Sequence, residues 1–125
     1  MKARVTRSAD KKLLCCGLSR ERLQIVGKCA ADHGADIVEA GDGSLTLGQQ
    51  LGGIKGEGDA PAEECLIFSG FDRAELNALL ESLRTSGVRI PLKAVVTAHN
   101  IGWKLDDLIA ELRKEHEYMN GGGAR

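Results

Sequence analysis

The chain has 125 residues and a mass of 13.3 kDa, room for one ordinary domain and not for two. With 42% hydrophobic and 28% charged residues it can build a packed core, which excludes a chain disordered throughout. Seventeen basic residues against eighteen acidic ones leave a formal charge of -1, so no net field draws it toward nucleic acid or a membrane surface.

Residues 12–18 (KLLCCGL) form a short apolar run ending in glycine, the pattern of a strand covered on both faces. Ser19 follows as a helix N-cap, and Leu23, Val26 and Ala30 recur at helical spacing with Arg20, Glu21, Arg22 and Lys28 outside them. Gly34 stops that helix, and residues 36–40 (DIVEA) read as a second strand. Residues 41–64 are rich in glycine and acid; they predict a long loop with one helical turn near residues 47–51. A third strand is expected at residues 65–71 (CLIFSGF). Asp72 then caps a helix with Leu76, Leu79, Leu80 and Leu83 on one face and Gly87 as its stop. Pro91 precedes a fourth strand at residues 92–97 (LKAVVT), and a last helix is expected over residues 105–118. Its Asp106 and Asp107 lie in the first turn and most of its basic residues come later, as the helix dipole favours.

The two halves resemble each other at an offset of 53. Gly17 then falls on Gly70, Ser19 on Asp72, Leu23 on Leu76, Val26 on Leu79, Ala30 on Leu83 and Gly34 on Gly87. Caps, apolar stripe and stops match together, so a duplicated β-α-β unit is expected. Two such units predict an α/β (α+β) fold, a ferredoxin-like four-stranded antiparallel sheet with an extra C-terminal helix over its open face; the alternative is a parallel sheet in three layers. The domain plan is a flexible basic arm at 1–11, a single α/β domain at 12–119 with its glycine-rich loop at 41–64, and a disordered tail at 120–125.

No apolar run reaches the ~20 residues of a membrane helix. The first residues, MKARVTRSADKK, lack the apolar stretch of a signal peptide, so a cytoplasmic location is expected. The four cysteines Cys15, Cys16, Cys29 and Cys65 do not read as a disulfide framework, and Cys15 and Cys16 must point to opposite faces of one strand. They are expected to be buried structural thiols. An antiparallel pairing of strands one and three would set Cys65 beside Cys16 and Gly17.

The segment from Cys65 to Met119 carries a resemblance. The strand ending in Gly70-Phe71, the run Ile90-Pro91-Leu92-Lys93-Ala94-Val95, then Thr97, Asn100, Trp103 and the ending Glu115-His116-Glu117 resemble a small bacterial family known as domain of unknown function 3783. The family's Gly-Gln-x-Leu-Gly stretch is also matched near residues 48–52. Where family members carry threonine after the tryptophan, this chain has Lys104. The family has no assigned activity, so the resemblance implies a fold and no chemistry.

Residues 48–55 (GQQLGGIK) are not a phosphate loop, because Ile54 stands where lysine must follow the last glycine. Thr97, His99, Asn100 and Trp103, with Lys93 on the preceding strand, are the candidate ligand- or partner-binding residues. The competing reading gives Thr97 and Asn100 to backbone groups of the turn and Trp103 to packing. Glu111, Glu115 and His116 lack matching ligands on the other helices, so they read as a solvated helix face and no metal or other cofactor is expected. Lys2, Arg4, Arg7, Lys11 and Lys12 have no aromatic residues among them, which disfavours nucleic-acid contact through the arm. The function expected is a non-catalytic binding or interaction module for a small ligand or protein partner, with a homodimer allowed. A small enzyme or thiol redox protein using His99 or a cysteine is the alternative, and nucleic-acid contact by the arm the second.

Overall fold

The computed structural model describes residues 11–123. In chain order they form β1 (Lys12–Cys16), α1 (Arg20–Asp32), β2 (Asp36–Glu39), α2 (Leu47–Leu51), β3 (Cys65–Ser69), α3 (Arg73–Thr85), β4 (Leu92–Val95) and α4 (Leu105–Gly123). The four strands make one mixed sheet in the order β2-β1-β3-β4. β1 runs parallel to β2, β3 runs parallel to β4, and the two central strands meet antiparallel. None of the helices among the described residues is long and apolar enough to cross a membrane.

The expected caps close both long helices. Ser19 Oγ accepts from Arg22 N at 3.2 Å, and Asp72 exchanges hydrogen bonds with Glu75 in a full capping box. Such caps contribute about 1 kcal/mol each by satisfying amides that the helix leaves open. Gly17, Gly34, Gly70 and Gly87 all hold positive φ, so the glycines that align in the duplicated pattern do the same conformational task at the same places.

Alternation along the central strands feeds two cores. Leu13, Cys15, Leu66 and Phe68 face α1 and α3, where they meet Val26, Ala30, Leu79 and Leu83. Leu14, Cys16, Cys65 and Ile67 face the other way, onto Leu47 of α2 and Leu105, Leu108 and Ile109 of α4. The near-continuous apolar runs of β1 and β3 thus reflect burial on both faces.

The sheet departs from the ferredoxin-like plan in strand direction. Each unit's helix returns the chain beside its own first strand, with Asp36 N donating to Lys11 O at 3.0 Å in the first unit. The neighbouring position is thereby taken by a parallel strand, and only the inner edges of the two units remain to pair. The chain combines features of both sequence-level alternatives: four strands from duplicated units, and helices on both faces.

The duplication is deeper than the offset of 53 shows. Leu14 pairs directly with Ile67, its own counterpart, so a pseudo-two-fold axis passes between them. On one face the axis passes between α1 and α3, where the Cys29 thiol lies 3.9 Å from the carbonyl of its counterpart Ser82. On the other it passes through a bridge between Thr46 and Lys104, which precede α2 and α4. Around that bridge Leu47 N donates to Trp103 O at 3.0 Å and Leu105 N to Leu45 O at 2.9 Å. Gly48 N to Ile101 O at 3.0 Å is likewise mirrored by Asp106 N to Gly43 O at 2.9 Å. Each unit is therefore β-α-β-turn-α, with α2 and α4 as counterparts.

Elements also differ at their ends from the sequence expectation. β1, β3 and β4 stop at Cys16, Ser69 and Val95, while α4 continues to Gly123, past the expected end at residue 118. Residues 120–123 of the expected tail are thus helical, whereas Ala124, Arg125 and residues 1–10 of the expected arm lie outside the described residues. The 41–64 segment is held by its own polar network. Buried Gln50 accepts from Gly41 N at 2.8 Å and donates to Asp42 O at 2.6 Å. The Ser44 amide and hydroxyl and the Gly58 amide keep the Asp42 carboxyl below the usual carboxylate range.

Candidate functional site

The five sequence-predicted site residues fall into two groups. Thr97, His99, Asn100 and Trp103 lie in the turn between β4 and α4, and the turn uses most of their polar atoms itself. Thr97 Oγ1 accepts from the amides of His99 and Asn100, both at 3.1 Å. Asn100 Oδ1 accepts from Thr97 N at 2.8 Å, and its Nδ2 donates to Val95 O at 3.1 Å. Trp103 is half-buried against the α2 and α4 core, with its ring 5.8 Å from that of exposed His99. Asn100 is the counterpart of Asp42, the other turn-organising residue ahead of a helix.

Lys93 belongs elsewhere. Strand alternation puts its neighbours Leu92 and Ala94 in the α2 and α4 core, so Lys93 points to the α3 side of the edge strand. There it lines a groove of about 630 Å³ between α3 and β4. Leu66, Leu80, Leu83, Val88, Ile90 and Pro91 make the apolar floor and walls. Arg84, Arg89 and Lys93 stand on the rim. Lys93 Nζ donates to Ile90 O at 2.6 Å, which leaves two of its three donors for other partners. The outer wall is pinned from α1, where Arg22 donates to the Arg89 carbonyl at 2.7 Å. The volume lies within the ~300–1,000 Å³ usual for small-molecule sites.

The thiols are buried inside the fold. Cys15 lies in the α1 and α3 core, and Cys16 in the opposite core directly across from Cys65, as antiparallel pairing requires. Burial, reinforced by the Glu39 charge, pushes the Cys15 thiol up to about 12. The hydrogen bond with Cys65, then burial, pushes the Cys16 thiol further still. Thiolate, the reactive form, is therefore scarce at both near neutral pH.

Glu111, Glu115 and His116 lie on the exposed face of α4, and among the described residues no three His, Cys, Asp or Glu side chains are grouped so as to hold a metal ion. Of the basic residues assigned to the arm, Lys11 pairs with Glu75 at 2.9 Å and Lys12 donates to Leu51 O at 3.2 Å, while Lys2, Arg4 and Arg7 lie outside the described residues. The groove walls formed by Leu80, Val88 and Ile90 were missed by sequence reasoning. The one available signal was the tripeptide Arg89-Ile90-Pro91, which interrupts the alignment of the two halves between Val88 and β4.

No curated protein and no solved structure matches the chain. A family match covers β3, α3, β4 and the first part of α4, and so contains the groove and the turn that follows it. Residues 64–119 match the family described as Domain of unknown function (DUF3783).

Proposed function

We propose that this protein is a non-catalytic binding module whose ligand seat is the groove between α3 and β4. The observation that carries the reading is a hollow of about 630 Å³ with an apolar floor at the sheet edge. Its walls belong to a helix and a strand, with the outer segment tied to α1, so the seat exists before a ligand arrives and little ordering entropy is lost on binding. The polar atoms of Thr97 and Asn100 are engaged in shaping their own turn, which favours a structural task for that loop. The raised Cys15 and Cys16 thiols weigh against thiol redox chemistry. Four unpaired cysteines suit the reducing cytoplasm, where we place the protein.

A neutral solvatochromic dye such as Nile red tests the seat. Its fluorescence should rise and shift to the blue with the native protein. Lys93→Trp, at an exposed edge-strand position, should fill the groove and cut dye affinity by about tenfold, the loss of roughly 1.4 kcal/mol of contact. Absence of dye binding, or a loss caused by His99→Ala and not by Lys93→Trp, would overturn the assignment.

A further inference from the structure

We infer that the ligand of this groove is an amphipathic anion, an apolar chain carrying a single negatively charged head. This rests on the groove being the binding seat, and adds the chemical class that the seat selects. The first argument is charge. Three cationic side chains share the rim, and Glu81, which pairs with Arg84, is the one carboxylate bonded to any of them among the described residues. Arg89 and Lys93 thus border an otherwise apolar hollow whose lining holds no carboxylate, although Lys93 also borders a smaller hollow beside Glu115 of α4. An anionic head on the rim with its chain on the floor would satisfy both surfaces, by charge-assisted hydrogen bonds at one end and apolar burial at the other.

The second argument comes from comparing the two halves of the molecule. The pseudo-two-fold axis gives each groove residue a counterpart in the first unit, where strand register aligns Lys93 with Ile37 and helix position aligns Leu80 with Gly27. Ile37 Cδ1 packs so close to the α1 backbone that a Cβ on Gly27 would lie only 3.3 Å away. Strand and helix are in direct contact there. In the second unit Leu80 restores a side chain to the helix, and Arg89-Ile90-Pro91 is inserted ahead of β4. The same divergence therefore opens the space, lines it with Ile90 and Pro91, and adds the cations Arg89 and Lys93 to its rim. A hollow produced only by loose packing would have no reason to gain charge of one sign together with its volume.

Isothermal titration of the whole protein with decanoate, decyl phosphate and decanol tests this inference, since the three share one chain and differ in the head. At moderate salt at least one anion should bind about tenfold or more tighter than decanol, the yield of a charge-assisted hydrogen bond worth roughly 1.5 kcal/mol. Decanoate and decyl phosphate together tell a carboxylate-headed ligand from a phosphate-headed one. In the double variant Arg89→Gln, Lys93→Gln, both at exposed positions, the ratio of anion to decanol affinity should fall toward one. Equal or tighter binding of decanol by the native protein overturns the anion inference and leaves the apolar seat standing. Failure of all three to bind overturns the seat as well.

Discussion

Gly17→Ala should destabilise the protein by about 3 kcal/mol or more, whereas Gly87→Ala should cost only ~1–2 kcal/mol. Both glycines hold positive φ, so both substitutions carry the cost of a side chain in the left-handed region. They differ in their surroundings. A Cβ on Gly17 would lie 2.5 Å from the carbonyl oxygens of both Ala62 and Glu63, and backbone has to move to admit it. A Cβ on Gly87 would meet nothing within 4 Å. Urea denaturation of the two variants measures the difference. Equal losses would show that the loop segment leading into β3 does not cross tightly over the β1–α1 turn, which would undo the way the two units are joined.

The second large effect is alkaline loss of stability. In the unfolded chain the Cys15 thiol ionises near its ordinary value of 9.0, while in the fold burial holds it protonated to about 12. Above pH 9 the unfolded state therefore binds fewer protons than the native state, and raising the pH favours unfolding. The contribution of this thiol is fully present below pH 9 and is lost between there and about 12. Over that window the loss is on the order of 4 kcal/mol, from three pH units at about 1.4 kcal/mol each. Cys15→Ala removes this titration, so its stability should fall less steeply between pH 9 and 11 than that of the native protein. The comparison of slopes also removes the contribution of lysine and tyrosine side chains common to both. Parallel slopes would mean that Cys15 meets water.

Much of this architecture was legible because local chemistry and tertiary structure agree on it. Ser19 and Asp72 are short acceptors immediately ahead of helical periodicity, and they do cap α1 and α3. Gly17, Gly34, Gly70 and Gly87 sit at the boundaries where their conformation is required, and their common spacing exposed the duplication. Strand direction was less legible. The patterns of β1 and β3 report burial on both faces but carry nothing about which edge meets which, since that depends on where the intervening helices return the chain. The correspondence of α2 with α4 is hidden because the offset grows from 53 to 56 at the inserted Arg89-Ile90-Pro91 and to 58 by the Thr46–Lys104 bridge, so no constant spacing links the second halves of the units.

The candidate site was legible in part for a similar reason. Lys93 stands close in sequence to Thr97 and Trp103, but the residues that line a hollow with it lie across the sheet edge and not ahead along the chain. Alternation sends Lys93 toward α3, while the turn carrying Thr97 and Asn100 closes on itself. The groove is assembled from α3, the inserted tripeptide and β4, and no short motif spans those three elements. Gln50 shows the same limit, since its two hydrogen bonds reach backbone at Gly41 and Asp42 that only the folded loop brings near.

The most direct test is to map amide chemical-shift changes by two-dimensional nitrogen–proton correlation spectra of the whole protein during titration with decanoate. Binding in the groove predicts that the largest and saturable shifts fall within residues 80–93, with the 97–103 turn little changed. Largest shifts in that turn, or shifts scattered over the surface without saturation, would contradict the account.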